Sequence, residues 1–354
     1  MKVLVYPFGT EIAFEIYRSL SKVKNIELWG GTSDYNNHGL YVYDNVIGDL
    51  QFISDTSSRE DVEHFTKQIE SYNFDFIYPA MDGCLAKFAE FRDVFSGKVI
   101  APDFGVAETT RSKSKTYSLL KDCIKVPVCY DDINKISEYP VFVKPDVGQG
   151  SVGAKKISDQ IKNVGGWFFQ LKKNKAGEYV LLEVASRIAG TSGFTRCIGA
   201  NLPLLTLYTF QGQYIKEIPL IGYKELHIDR ALYNAYKSDI EYDSVYVDYD
   251  DTLVVDGHLN IQLITFLYSC IDKGLPVYLF SRHDDEKFGK LDNLLEKYHL
   301  QTLFDEIIHI GLSGRKSTYI KSNKAIFIDD SYGERMAVKK TTRILVFDPS
   351  MVEH

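Results

Sequence analysis

The stretch VYVDYDDTL, residues 245–253, decides how the chain is read. Ser244 to Val247 is an apolar run of strand length, and three carboxylates follow at Asp248, Asp250 and Asp251. An apolar run ending in charge predicts a buried strand whose carboxyl end opens into a site, where open α/β sheets bind their ligands. Like charges leaving a hydrophobic strand together are costly unless something positive meets them. A metal ion answers that requirement.

Further along, Pro276 to Phe280 is a second apolar run, and it ends in Ser281. Lys316 stands in GRKSTYIK, and Ala325 to Ile328 is a third run, ending in Asp329 and Asp330. Taken singly, the acidic pair and the serine read as turn or helix-cap residues, and the lysine as a solvated surface charge. In this order, behind the D-x-D-x-T-L of Asp248, Asp250, Thr252 and Leu253, they resemble the haloacid dehalogenase (HAD) superfamily, most of whose members are Mg²⁺-dependent phosphohydrolases.

The resemblance implies roles. Asp248 would be the nucleophile that forms an aspartyl-phosphate, and Asp250 the general acid and base. Asp248, the backbone carbonyl of Asp250, and Asp329 or Asp330 would hold Mg²⁺. Ser281 and Lys316 would stabilise the phosphoryl oxygens, with Thr252 completing the catalytic set. The segment from Asp248 to Ser281 has room for one helix, about Asn260 to Lys273, and short loops, but not for a lid domain. The resemblance is therefore to a capless member, so that either the substrate is bulky or another domain covers the site.

At 354 residues the chain suggests two or three domains, and its formal charge of −7 argues against a nucleic-acid partner. Five cysteines (Cys84, Cys123, Cys129, Cys197, Cys270) form no C-x-x-C pair and are expected to be buried free thiols in a reducing cytoplasm. The opening MKVLVYPFG reads as a strand rather than a secretory signal, and no stretch approaches the ~18 apolar residues of a membrane span. Oligomeric state stays open.

The first two thirds alternate strand and helix. Val3 to Tyr6, Ile26 to Trp29, Phe76 to Pro79 and Val99-Ile100 read as strands, and Ile12, Ala13, Ile16 and Leu20 mark a helix face. That alternation predicts a parallel sheet with covering helices, and Gly9 and Gly30-Gly31 are expected in tight turns. Beyond it, SKSKTYSLLKD opens a helix at Lys113. The run YPVFVKP carries Lys144 into the glycine-rich VGQGSVG, with Gly148, Gly150, Ser151 and Gly153. A lysine leaving a strand beside free backbone N–H groups suits a loop that covers phosphate.

With Glu183-Val-Ala-Ser-Arg187, these segments resemble the ATP-grasp superfamily over about residues 1 to 235, in particular its carbamoyl-phosphate-synthase-like and amino-acid-ligase branches. The resemblance implies that Lys113, Lys144 and the glycine loop hold ATP, that Glu183 holds Mg²⁺, and that Arg187 contacts phosphate or substrate. Three features depart from the pattern. Ala185 replaces a metal-binding Asn, Gln170 a second acidic ligand, and only about thirty residues join the loop to Glu183 where a longer lid is usual. Either the unit is degenerate or part of the lid lies outside this chain.

The expected architecture is α/β: a Rossmann-like pre-ATP-grasp domain (1–105), an ATP-grasp-like domain with a shortened lid (106–238), and a capless HAD-like domain with a parallel sheet (239–354). The leading functional expectation is a bifunctional enzyme, a carboxylate–amine ligase using ATP fused to a phosphohydrolase. Its partners would be a small phosphorylated substrate and a carboxylate and amine pair. The alternatives are a phosphatase with a non-catalytic ATP-grasp scaffold, and a non-enzymatic nucleotide-binding protein.

Overall fold

The computed structural model describes residues 1–130, 133–135, 164–222, 225–228 and 240–352. The chain is mixed α/β and divides into two compact units, Met1–Ala231 and Leu232–His354.

In the first unit the strands β1 (Lys2–Tyr6), β2 (Glu27–Gly31), β3 (Asn45–Ile47), β4 (Phe76–Pro79) and β5 (Lys98–Val99) form a sheet of order β3-β2-β1-β4-β5, with every pairing parallel. Its strands read as continuous apolar runs because both faces are covered: Leu4, Tyr6 and Ile77 pack on one side, Val3, Val5 and Tyr78 on the other. The helix Glu11–Leu20 buries the expected Ile12, Ala13, Ile16 and Leu20, and starts where the Thr10 hydroxyl accepts from Ala13 N at 3.1 Å. The helix Arg59–Ile69 opens on a reciprocal Ser58–Asp61 capping box. Ile188 and Leu207, from beyond residue 105, join the same core as β1, so the segments on both sides of that expected boundary pack together.

Gly30 and Gly31 correct the turn expectation, for both lie inside β2. A Cβ on Gly30 would stand 2.7 Å from a Phe8 ring carbon and 2.8 Å from Tyr43 Cγ, and one on Gly31 2.9 Å from Leu50 Cδ1, so the glycines there make room for side-chain packing rather than for a bend. An antiparallel pair, β6 (Phe168–Lys173) and β7 (Tyr179–Ala185), follows, then the helix Leu202–Phe210.

The second unit is built on β8 (Val245–Asp248), β11 (Val277–Ser281), β12 (Glu306–His309), β13 (Ile326–Ile328) and β14 (Leu345–Phe347), all parallel, in the order β12-β11-β8-β13-β14. Val245, Val247 and Leu279 face one core, Tyr246, Phe280 and Phe327 the other. A small hairpin, β9 (Val254–Val255) and β10 (His258–Leu259), turns through Asp256 and Gly257 at φ of 49° and 75°, the paired left-handed turn that Asp-Gly supports. The helix Ile261–Asp272 is capped by Asn260, ends at Lys273, and buries Leu263, Leu267 and Cys270.

Only Cys84 and Cys270 of the five cysteines are buried; Cys129 and Cys197 are exposed, one in an irregular stretch and one ending the short helix Gly193–Cys197. Among the described residues no helix is long and apolar enough to cross a membrane.

Candidate functional site

With β8 at the centre of its sheet, the strand ends on either side of it are set by register: Phe280 pairs with Asp248, and Ile328 with Val247. Asp248, Ser281 and Asp329 therefore leave neighbouring strands together. Lys316 rises from a short 3₁₀ turn, and its buried ammonium donates to Asp248 Oδ1 at 2.5 Å and to Asp329 Oδ2 at 2.7 Å. Asp248, Asp329 and Asp330 offer carboxylate oxygens that all lie within 4.8 Å of one another.

The charges in this cluster do not balance. Burial, helped by the Asp329 charge, pushes the Asp248 carboxyl up to about 7 despite the Lys316 ammonium beside it. Asp330 is likewise raised, by desolvation first and Asp329 second. Burial acts to lower Lys316, but the Asp248 and Asp329 carboxylates outweigh it and hold the ammonium above the ordinary lysine range. Arg335 is close as well, yet its Nη1 donates to the carbonyls of Asp329 and Asp330 at 2.6 and 2.7 Å and pairs with Asp348 at 2.9 Å. Among the described residues one ammonium is thus set against three carboxylates, and hard oxygen donors short of positive charge fit a small divalent cation such as Mg²⁺.

Thr252 and Ser281 sit behind this cluster. The fully buried Thr252 hydroxyl accepts from Asp330 N at 2.9 Å and donates to Asp330 Oδ1 at 3.3 Å, tying the loop after β8 to the one after β13. Ser281, also buried, accepts from His283 N at 3.0 Å and lies 3.5 Å from Asp250 Oδ2. Asp250 itself is half exposed, on a tight turn in which Asp251 takes a φ of 54°.

Sequence reasoning missed His283. This buried imidazole lies 2.8 and 2.9 Å from the two carboxylate oxygens of Asp250 through Nδ1, while its Nε2 lies 2.8 Å from the Gly289 carbonyl. The available signal was its place two residues past Ser281, on a strand end beside the acidic one.

In the first unit, Glu183 is buried in β7 opposite Gln170 of β6, and the next register step is irregular. Lys113 begins the helix Lys113–Leu120, which docks on β7 where the Tyr117 hydroxyl donates to the Leu182 carbonyl at 2.6 Å. Arg187, expected to contact phosphate or substrate, makes a two-pronged pair with Asp82: Nε to Oδ1 at 2.7 Å and Nη2 to Oδ2 at 3.0 Å, with Nη1 donating to the Ile188 carbonyl at 3.1 Å. A guanidinium this deeply buried needs a carboxylate within reach. Lys144, Gly148, Gly150, Ser151 and Gly153 lie outside the described residues.

No known family profile matches the sequence, and no curated protein does. Among solved structures the chain is similar to pyruvate carboxylase from Rhizobium etli, at 13% identity and a TM-score of 0.47 over 62% of this chain and 28% of that one. It is also similar to the biotin carboxylase domain of the Hydrogenobacter thermophilus 2-oxoglutarate carboxylase, solved with MgADP and bicarbonate, at 14% identity and a TM-score of 0.49 over 62% of this chain and 72% of that one. A third is N5-carboxyaminoimidazole ribonucleotide synthetase from Thermotoga maritima, at 12% identity and a TM-score of 0.44 over 61% and 78% of the two chains. The chain spans less than a third of the length of the pyruvate carboxylase. With every one of these scores below 0.5, the functional reading rests on the chain's own residues.

Proposed function

We propose that the second unit is a Mg²⁺-dependent phosphohydrolase of HAD type that works through an aspartyl-phosphate on Asp248. The observation that carries this reading is the Lys316 ammonium held between Asp248 and Asp329 with Asp330 alongside, one cation among three carboxylates. Lys316 keeps one oxygen of Asp248 occupied and fixes the direction of the other. The same ammonium offsets part of the repulsion between the nucleophile and an incoming phosphoryl group. Asp250, outside that group of three, gives its proton to the departing oxygen and later takes one from the water that attacks the aspartyl-phosphate. Asp248, Asp329 or Asp330, and the Asp250 carbonyl would hold Mg²⁺, which when bound supplies the positive charge the cluster lacks. The substrate is a small phosphorylated molecule.

The test is hydrolysis of an aryl phosphate with Mg²⁺. Asp248→Asn removes the nucleophile and is expected to lower kcat by roughly three orders of magnitude or more. Undiminished turnover by that variant would end the assignment.

For the first unit we infer an ATP-grasp-like nucleotide-binding role, supported by the resemblance at Lys113, Lys144, the glycine loop and Glu183. Between a working ligase for a carboxylate and amine pair and a scaffold that binds ATP without turning it over, Ala185 and the Arg187–Asp82 pair favour the scaffold. Millimolar MgATP should raise the melting temperature of this unit by ordinary binding linkage. ATP-dependent release of phosphate with an added carboxylate and amine would restore the ligase reading.

A further inference from the structure

Asp250 presents a problem of placement. A general acid must meet the leaving oxygen in one geometry, yet its side chain is 43% exposed and free to lose that geometry to solvent unless something restrains it. The restraint is His283, whose own side chain is 1% exposed. A carbonyl oxygen can only accept, so the Gly289 contact at 2.8 Å puts a hydrogen on Nε2 and leaves Nδ1 for Asp250, centred between the two carboxylate oxygens at 2.8 and 2.9 Å. The ring is fixed by more than these two contacts. Its backbone N donates to Ser281 Oγ at 3.0 Å, its carbonyl accepts from His309 Nε2 at 2.9 Å, and Tyr249 and Phe288 each stand 5.9 Å from it, centroid to centroid. Burying an imidazole with both nitrogens engaged, only to grip the edge of a half-exposed carboxylate, is a specific arrangement.

From this we infer that His283 is a positioning residue for leaving-group expulsion: it orients the Asp250 carboxyl toward the departing oxygen, outside the Asp248, Asp329 and Asp330 group. The inference rests on the phosphohydrolase reading above. In the step it serves, an Asp248 oxygen bonds to phosphorus as the ester P–O bond breaks, and the leaving oxygen takes the Asp250 proton and departs as the alcohol. Water then attacks the aspartyl-phosphate, Asp250 takes a proton from that water, phosphate leaves and Asp248 is free again.

The experiment compares kcat/KM, which reports the step expelling the leaving group, for 2,4-dinitrophenyl phosphate and phenyl phosphate in the full chain. Dinitrophenolate departs without a proton, whereas phenolate needs one. His283→Ala should raise the ratio of the two values by roughly 10²-fold, the lower end of what general acid catalysis contributes. Asp250→Asn should shift the ratio the same way, and His283→Asn, whose side-chain amide can still hydrogen-bond to Asp250, should recover part of it. Equal losses on both esters would make His283 a structural residue and overturn the inference, as would an unchanged ratio. If His283→Ala does not fold, the ratio in His283→Phe, which fills the site without hydrogen-bonding to Asp250, decides, since an unshifted value there also overturns it. Asp248→Asn separates the two levels: activity surviving in it removes the phosphohydrolase reading itself, while an inactive Asp248→Asn beside an unshifted ratio removes only the role of His283.

Discussion

The acidic cluster of the second unit and the Glu183–Arg187 segment of the first both began as short motifs, and the structure treats them differently. In the second unit, four sequence segments converge on a place where charge remains unbalanced, with Lys316 answering only part of what Asp248, Asp329 and Asp330 present. In the first, the positively charged member of the motif is already committed, because Arg187 closes on Asp82 with both prongs of its guanidinium. A motif becomes a site when its charges are held in place and left incomplete; one whose charge is satisfied from within reads as scaffold. Breaking each arrangement in turn tests that distinction.

The largest effect is expected at Lys316. Lys316→Met leaves Asp248 and Asp329 buried side by side, and removing one partner of a buried ion pair costs about 3–5 kcal/mol. Activity should fall with it, and circular dichroism should show earlier melting. Both tryptophans, Trp29 and Trp167, lie in the first unit, so tryptophan fluorescence should report an unchanged transition there. Melting at the wild-type temperature would mean that Lys316 is not needed to neutralise the cluster.

Arg187→Met is the counterpart. Loss of charged hydrogen bonds to the partly exposed Asp82 should cost roughly 1.5–3 kcal/mol, seen this time in the tryptophan signal, with phosphatase kcat/KM unaffected. A variant that kept its stability but lost protection by MgATP would return Arg187 to a ligand-binding role and weaken the contrast.

What was legible in the sequence follows from the range of the forces involved. The apolar runs before Asp248, Ser281 and Asp329 announced buried strands, and Asn260 and Lys273 bracketed their helix, because periodicity and capping are local. The strands Asn45–Ile47 and Leu345–Phe347 went unread: both lie at sheet edges, where burial no longer demands an apolar run. Gly30 and Gly31 misled, since what excludes a side chain there is Phe8 and Tyr43 at the first and Leu50 and Leu4 at the second, arriving through tertiary packing. His283 and the Arg187–Asp82 pair were hidden for the same reason, the latter joining positions 105 residues apart. Charge-bearing strand ends can be seen in a sequence; of their partners, Lys316 was named by resemblance, while His283 and Asp82 came only with the structure.

Thr252 offers a smaller and sharper test within the second unit. Its hydroxyl exchanges two hydrogen bonds with Asp330, so Thr252→Val keeps the shape and frees the acidic loop. The stability cost should be about 1 kcal/mol, and the Mg²⁺ concentration for half-maximal activity should rise roughly tenfold, the lower end of what partners behind a ligand contribute. A collapse of kcat that saturating Mg²⁺ cannot restore would instead place Thr252 in the chemistry.

The smallest effects come from a matched pair of turns, one in each unit. Gly177, in the hairpin between β6 and β7, and Gly257, between β9 and β10, sit at φ of 79° and 75°, and a Cβ at either would meet nothing within 4 Å. With clashes removed, alanine at each position measures only the cost of a left-handed backbone, about 1 kcal/mol. Gly177→Ala should lower the fluorescence transition and leave hydrolysis untouched. Gly257→Ala should spare the fluorescence transition while loosening the hairpin whose first strand bridges to Asp250, and so lower kcat/KM by a few fold on phenyl phosphate. Equal insensitivity of hydrolysis to both would show that the hairpin beside Asp250 is as remote from turnover as the one beside Glu183, and that Asp250 is held by its other neighbours alone.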